Sequence, residues 1–561
     1  MKSVELKTVY LLVLSGNHDH AELTLKLLFP EFQVKNIPKA TLRQAGGVRG
    51  AIRVLRGMRG RALVFYVDTL ADINEPIGLS LLGVFHRCQE TIIIDSHGVK
   101  RRVSRDASLA KIPIAAVCVC LDALTVVGVW LYLRLFGWLF RNPQPILPEG
   151  KTDLDVAYLY PFPLQRTVPG GEMSFLKGTL SGIQEAGGRC EVFSGCSLPV
   201  EGYPVHVIPS RRQYFLWRES LCLSYNFRFV WEVAKRLRHR KPRMLYQRHG
   251  RFVFAGVMLS RILRVPLFLE YQNSELWRAQ NWEPAHFLFL LRICEELSLD
   301  GTTRGVALSD VLREELLERG MASDQIVLTP AAVDPRKFSP GCGRDDVRGE
   351  FGFRPEHVVM GFVGSFSYWH GIPVIEEAVK RLLGTEEERR EHSNLRFLLV
   401  GEGILRQPLK QSLDDAGCGS FVTFTGAISH ERVRDILDAA DILLSPHVPL
   451  QGGQRFFGSP SKLFEYMAMA KPIVASDLEQ LSAVLSHMQT AWLIPPEDDA
   501  ALAKAILHLA HDPQLRQVLG NNARATVLSH HTWKLNAFRL LSKSISTTVP
   551  TTPVGMSMTS Y

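Results

Sequence analysis

The stretch SPSKLFEYMAMAKPIVASD, residues 459–477, sets a Ser-Pro helix start, a lysine and a glutamate ahead of a short apolar strand. Ser459 suits the N-cap and Pro460 the first helical position. Lys462 then falls near the third helical position, where the helix dipole opposes a cation by about 0.3–1 kcal/mol. A lysine there either faces solvent or awaits an anion. Helical spacing puts Ser461, Lys462, Glu465 and Met469 on one face, and leaves Leu463, Phe464, Met467 and Ala468 to cover a sheet. Glu465 thus shares the side of the helix start, where backbone N–H groups bind phosphate. A carboxylate so placed can accept hydrogen bonds from both ribose hydroxyls of a nucleotide.

Outward from this stretch, apolar runs of strand length alternate with helix-length segments. From about residue 355 come VVMGFVGSF, LRFLLVGEG, FVTFTGAI, DILLSPH, KPIVASD and TAWLIPP. From 153 to 340 come DVAYLYPF, RCEVFSG, RMLYQRH, VPLFLEYQ, GVALS and QIVLTPAAV. Continuous apolar strands between helices predict parallel sheets covered on both faces. Two such arrays, joined by VDPRKFSPG, predict twin Rossmann-like domains facing a cleft. Residues 1–99 carry TVYLLVLS, RALVFYV and TIIIDSHG and read as a further, partial Rossmann-like α/β unit. The expected division is therefore 1–99, a basic and apolar segment with linker at 100–150, two Rossmann-like domains at 151–340 and 341–546, and a flexible tail at 547–561.

A chain of 561 residues is too long for one core, and 46% hydrophobic with 22% charged residues argues against wholesale disorder. The formal charge of +9 fits nucleic acid, anionic membrane or phosphorylated substrates. No nucleic-acid motif accompanies it, so nucleic acid is not expected as a partner. The nine cysteines lack C-x-x-C pairs and read as reduced thiols. Residues 1–20 lack the pattern of a secretory signal.

The 459–477 stretch resembles the second half of the nucleotide-sugar motif of family 4 glycosyltransferases, which are retaining enzymes of the GT-B fold. The resemblance covers roughly residues 153–545. GFVGSFSYWHG (361–371) is similar to the family's phosphate loop, and LLVGEG, VTFTGAISHERVRDILDAADILLSP and HTWKLNA follow in family order. PGGEMSFLKGTLSGIQEAGGRCEVF is similar to its N-terminal Gly-Gly loop and helix. The resemblance implies that Glu465 binds the donor ribose. It places Gly364, Ser365, His370 and Gly371 against the diphosphate, and Gly401, Glu402 and Gly403 near the base. Gly458, Ser459, Pro460 and Ser461 would contact sugar or phosphates, while Gly170 and Gly171 admit the ligand to the N-terminal domain.

Three positions depart from the family. Phe457 stands where a glutamate is common, eight residues before Glu465. SFSYWHG replaces a phosphate loop bearing Arg and Lys. Gln272, followed by Asn273, replaces the histidine usual after VPLFLEY. Lys462 and His370 are then the cations available to the leaving diphosphate, and Gln272 joins them as a candidate catalytic group, with Asn273 in the acceptor cleft. His370 could equally be a packing residue, and Gln272 and Asn273 could cap a strand. No convincing D-x-D is present, so no metal or other cofactor is expected, and helix N-termini with Lys462 would stabilise the departing nucleoside diphosphate. His18, Asp19 and His20 form either a metal-binding cluster or a polar loop.

Residues 112–140, IPIAAVCVCLDALTVVGVWLYLRLFGWLF, are long enough to span a bilayer. The positive-inside rule puts KRRVSRDASLAK in the cytosol, and a full span would then separate the enzyme from its nucleotide sugar. A re-entrant or interfacial hairpin broken near Asp122 is preferred over a span or a pair of buried helices. RRQYFLWR and YNFRFVWEVAKRLRHRKPR add the cationic-aromatic character of membrane-surface segments. The expected protein is a membrane-associated glycosyltransferase of cell-envelope or polysaccharide assembly. It would act on a nucleotide sugar and a lipid-linked or glycan acceptor at the cytosolic face. The rivals are a non-catalytic nucleotide-sugar-binding scaffold, and an epimerase or phosphorylase on the same fold.

Overall fold

The computed structural model describes residues 8–13, 25, 31–37, 48–67, 84–95, 100–140, 152–164, 171–210, 217–341, 343–450 and 455–545. The linker at 141–151, the 547–561 tail, the His18–His20 cluster, Gly170 and most of RRQYFLWR lie outside these residues. Two compact units emerge, one of residues 1–135 with 209–225, the other of 136–208 with 226–561.

The smaller unit holds a five-stranded sheet of β1 (Thr8–Val13), β2 (Gln33–Asn36), β3 (Ala62–Val67), β4 (Glu90–Asp95) and β5 (Lys100–Val103). Its order is β2-β1-β3-β4-β5, parallel except for β5. The three apolar runs read from the sequence are β1, β3 and β4, which bury Val9, Leu11, Val64, Tyr66, Ile92 and Ile94. The basic KRRV segment, which opens the 100–150 stretch of the expected division, forms the antiparallel edge strand. Its charges keep that edge in water, and Arg102 pairs with Glu90 at 3.5 Å.

A helix then runs from Ile112 to Phe136 without interruption. The hairpin expected to break at Asp122 is therefore absent. Asp122 is fully buried on a stripe with Ala115, Cys118, Val126, Val129 and Leu133, and the remaining faces expose apolar side chains. Its carboxylate accepts hydrogen bonds from the Trp217 N–H (3.1 Å) and the Ser220 hydroxyl. Both belong to the start of the helix Arg218–Leu237. Asp122 thus caps that helix from outside, at the end where the helix dipole favours a negative charge.

The larger unit contains two parallel sheets. The first comprises β6 (Val156–Tyr160), β7 (Cys190–Ser194), β8 (Val205–Val207), β9 (Met244–Arg248), β10 (Leu267–Tyr271), β11 (Arg304–Ala307) and β12 (Ile326–Leu328), in the order β12-β11-β10-β9-β6-β7-β8. The second comprises β13 (Val358–Val363), β14 (Leu395–Val400), β15 (Val422–Gly426), β16 (Ile442–Ser445), β17 (Ile473–Ser476) and β18 (Trp492–Ile494), in the order β15-β14-β13-β16-β17-β18. These are the twin Rossmann-like domains of a GT-B fold. Both orders reverse direction beside their first strand, β6 or β13, which is where such sheets open a crevice for ligands.

The chain crosses back at its end. The helix Trp533–Ile545 packs on Gly171–Glu185 of the first domain. Phe175 meets the Trp533 ring edge-on at 5.0 Å, and a side chain at Gly178 would collide with that indole.

Candidate functional site

The site forms where β13 ends. The Gly364 N–H donates to Val400 O (2.9 Å) and the Phe366 N–H to Glu402 O (2.9 Å), so the loops after β13 and β14 run against each other. Gly401 has φ 133°, and a Cβ there would strike Gly364 O. Gly371, with φ 72°, lies against Pro446 O in the same way, so both positions require glycine. Glu402 contributes its backbone to this frame, while its side chain is half-exposed, 3.5 Å from Arg406. Gly403 packs on Phe366 O.

The helix named by the opening stretch spans Ser461–Ala468 and packs against this loop. The Val363 N–H donates to Tyr466 Oη at 2.8 Å. Its N-cap is Pro460 rather than Ser459, which offers no side-chain cap, so Lys462 is the second helical residue. Ser459 bonds elsewhere, its Oγ accepting the Ala331 N–H (2.9 Å) from the first domain. Phe457 O likewise accepts from Ser309 Oγ (2.8 Å), so the segment around Gly458 seams the domains together. Lys462 and Glu465 lie one turn apart as the spacing predicts. Met469, placed with them by spacing, is instead fully buried in the apolar core.

Lys462 is 9% exposed, and its Nζ has no hydrogen-bond partner among the described residues. The ammonium lies 4.4 Å from the centroid of the Phe362 ring, and a Cβ on Gly364 would approach it to 3.2 Å. Burial pulls its pKa down to about 7. His370 Nδ1 donates to Ser365 O at 2.7 Å, which fixes the tautomer because a carbonyl only accepts. Burial, and then Lys462, push His370 down to about 3, so it is neutral and any positive charge here rests on Lys462. His447, fully buried, meets the His370 ring edge-on at 5.2 Å. Its Nδ1 is 3.1 Å from Ser445 Oγ, and its Nε2 has no partner among the described residues. Burial, Lys462 and His370 hold it well below the usual histidine range.

Glu465, one turn beyond Lys462, is 8% exposed, and burial raises its carboxyl to about 7. Its Oε1 is 3.8 Å from His430 Nε2. Among the described residues, the site therefore holds a buried lysine and a buried histidine nitrogen, both unpartnered, beside glycine backbone, with a carboxylate one turn away. Desolvated groups without partners are costly, about 1–3 kcal/mol each, unless a ligand supplies the missing interaction. An anion with adjacent hydroxyls matches this set.

The first domain presents a charged network at the ends of β6, β9 and β10. Arg248 lies 3.6 Å from Glu172 and 3.9 Å from Glu270, and donates to Gln272 Oε1 at 2.5 Å. Gln272 Nε2 donates to Glu270 Oε1 (2.6 Å), and the Tyr246 and Tyr160 hydroxyls donate to Glu270 and Glu172 (2.8 and 2.6 Å). Burial raises the Glu270 carboxyl against the pull of Arg248. Gln272 is thus held by Arg248 and Glu270. Gly171 opens the helix Gly171–Glu185 with open space where a Cβ would lie, and Asn273 is half-buried in the loop after β10.

Residues 180–332 match the model of the glycosyl transferase 4-like domain, and residues 357–512 that of glycosyl transferases group 1. The chain carries the two domains of a GT-B glycosyltransferase. It is similar to the alpha-D-kanosaminyltransferase of Streptomyces kanamyceticus, at 23% identity over 331 residues, 57% of this chain and 81% of the relative. The phosphatidyl-myo-inositol mannosyltransferase of Mycolicibacterium smegmatis is 26% identical over 238 residues, 42% of this chain and 55% of the relative. Anabaena HepE, solved in complex with UDP, has a TM-score of 0.55 at 17% identity, covering 69% of this chain and 99% of its own, which reports the shared fold.

Within this glycosyltransferase, the sequence pointed to Lys462, His370 and Glu465 but missed His447, His430, Arg248 and Glu270. Histidines in LSPHVPL and ISHERV carry no spacing signal, and only the fold brings them to the site. Arg248 and Glu270 lie at the ends of strands whose apolar runs drew the reading away from their polar residues.

Proposed function

We propose that the protein is a retaining hexosyltransferase, of the family 4 subset with WHG and SPxKLFEYMA motifs. It would use a nucleoside-diphosphate sugar and a lipid-linked or glycan acceptor at the cytosolic membrane face. The observation that carries this reading is Lys462: buried, unpartnered among the described residues, beside Gly364 and one turn from Glu465. A diphosphate would receive the ammonium and the backbone N–H groups of the Gly364 loop, while Glu465 would accept from the ribose hydroxyls. The bound UDP of HepE and the lipid acceptor in the name of the mycobacterial relative support the same reading.

Transfer needs no metal in this scheme. The anomeric C–O bond breaks, with its electron pair leaving on the diphosphate, whose charge Lys462 offsets. The acceptor hydroxyl attacks from the face the diphosphate vacates, and its proton passes to a phosphate oxygen. Gln272 orients groups through Arg248 and Glu270. The helix Ile112–Phe136, apolar on its exposed faces, would rest in the membrane interface.

A thermal-shift screen against nucleoside diphosphates and nucleotide sugars tests the reading, because a bound donor stabilises the fold by mass action. Stabilisation by one nucleotide series, lost in Glu465→Ala, is expected; no shift with any member of the screen would overturn it. A scaffold reading is favoured by one observation, the aromatic Phe457 at a position where a carboxylate is common in the family. Nucleotide binding without sugar hydrolysis or transfer would select it.

A further inference from the structure

Four aromatic rings join across the two domains. Trp277 belongs to the short helix Glu275–Asn281 of the first domain, and Trp282 follows it. Trp369 precedes His370, and Phe457 precedes the Lys462 helix. The Trp277 ring meets Trp282 at 4.9 Å and Phe457 at 5.7 Å, both edge-on. Trp282 is tilted against Phe457 at 6.1 Å and stacked on Trp369 at 6.0 Å, with the ring planes 21° apart. Trp282 and Trp369 nevertheless remain 44% and 41% exposed. Two indoles in mutual contact across a domain boundary thus present a flat apolar face that a ligand can cover.

Beside them lies a polar cluster. Arg278, one residue beyond Trp277, pairs with Glu275 (2.9 Å) and Glu283 (3.7 Å), and Arg251 pairs with the same two carboxylates at 3.0 and 3.7 Å. Arg278 Nε and Arg251 Nη2 are buried and have no acceptor among the described residues. An alkyl chain would cover the rings but desolvate the part-exposed Arg278 guanidinium and the exposed Glu283 carboxylate without replacing their hydrogen bonds to water. A pyranose offers C–H groups on one face for stacking and ring hydroxyls that accept from guanidinium and donate to carboxylate.

We propose that Trp277, Trp282, Trp369 and Phe457, with Arg251 and Arg278, form a subsite for a pyranose ring of the acceptor, so that a glycan is read at the cleft mouth. This rests on the transferase reading and adds the chemical class of the acceptor group. Trp369 adjoins His370, so a sugar stacked there lies next to the donor loop.

The test is a tryptophan-fluorescence titration of the full chain with methyl pyranosides, in the presence and absence of the nucleotide that stabilises it most, and with octanol as the apolar control. A saturable change with at least one pyranoside is expected, weakened about tenfold or more in Trp369→Ala and in Arg278→Ala, and largely restored in Trp369→Phe. Nucleotide-induced thermal stabilisation should survive in all three variants, which shows that they fold. A saturable change with octanol and none with pyranosides would overturn the proposal in favour of a lipid occupant. Nucleotide binding without a saturable pyranoside effect would sink this subsite while leaving the transferase reading intact. Absence of nucleotide binding would sink that reading, and the pyranoside titration without nucleotide would still decide the subsite.

Discussion

Lys462 Nζ stands 4.4 Å from the centroid of the Phe362 ring with no hydrogen-bond acceptor among the described residues, in a pocket whose two histidines are kept neutral. The aromatic face offsets only part of the lost hydration. Replacing the lysine by an isosteric apolar chain should therefore stabilise the empty protein. Lys462→Met is expected to gain on the order of 1–3 kcal/mol in denaturant unfolding. The sign follows from the lowered pKa: protonation is disfavoured in the folded state, so the gain is full below about pH 7 and vanishes above the unfolded value near 10.5. The same variant should bind nucleotide more weakly, with a smaller nucleotide-induced stabilisation. A destabilised Lys462→Met protein would show that the lysine has a structural partner.

The two groups that burial brings to about 7 predict the pH dependence of donor binding. A nucleotide sugar's diphosphate diester carries fixed charge near neutrality, so titration arises in the protein. Affinity should fall above pH 7 by up to about tenfold per unit, as Lys462 loses the proton the anion requires. Below pH 7 it should fall more gently, because a protonated Glu465 still offers one carbonyl oxygen to the ribose. Calorimetry in buffers of different ionisation heat should show net proton uptake above pH 7. Glu465→Gln should flatten the acid limb alone, and Lys462→Met the alkaline limb alone. A profile unchanged by either variant would remove both from the site.

The fold was legible because parallel strands are continuous apolar runs, and each run from DVAYLYPF to TAWLIPP became a strand of the expected sheet. Lys462 and Glu465 were legible because a cation in the first helical turn conflicts with the dipole, whatever the tertiary contacts. Ser459 was misplaced because its hydroxyl serves the Ala331 N–H, 128 residues away, in preference to its own helix. The Trp282–Trp369 stack and the unpartnered nitrogen of His447 have no local signature, since each depends on groups distant in sequence. Asp122 misled for the same reason: an acid in an apolar run signals a break only when nothing answers it.

Asp122 is answered by Trp217 N–H and the Ser220 hydroxyl, so its removal should cost stability rather than change membrane affinity. Asp122→Leu makes the helix more apolar yet removes the carboxylate that accepts from the Trp217 N–H and the Ser220 hydroxyl at the start of Arg218–Leu237. A loss of about 1–2 kcal/mol is expected, in the range of a deleted helix cap, and Asp122→Asn should recover much of it. Vesicle flotation of the folded variant should match the parent. Stronger vesicle binding with unchanged stability would mean that the carboxylate faces lipid.

The proposed membrane association rests on the helix Ile112–Phe136. The 29 residues from Ile112 to Phe140 satisfy the length of a span, but one stripe is buried in the protein along the helix, with Asp122 fixed within it. Val117, Leu124 and Leu131 are among the residues on its exposed faces. Under the proposed membrane association, a helix with one stripe buried along its length would enter sideways rather than across. Lys100, Arg101 and Arg102 on the adjoining edge strand are exposed, and each could contribute about 1 kcal/mol at an anionic surface. Purified protein should co-float with phosphatidylglycerol vesicles in low salt and weaken, without complete release, as salt screens the basic strand. Triple replacement of Val117, Leu124 and Leu131 by Glu should abolish co-flotation while leaving nucleotide binding unchanged. In a cysteine-free background, Ser104→Cys and Thr152→Cys should both react with an impermeant maleimide added outside the vesicles. Protection of one flank alone would establish a span and overturn sideways insertion.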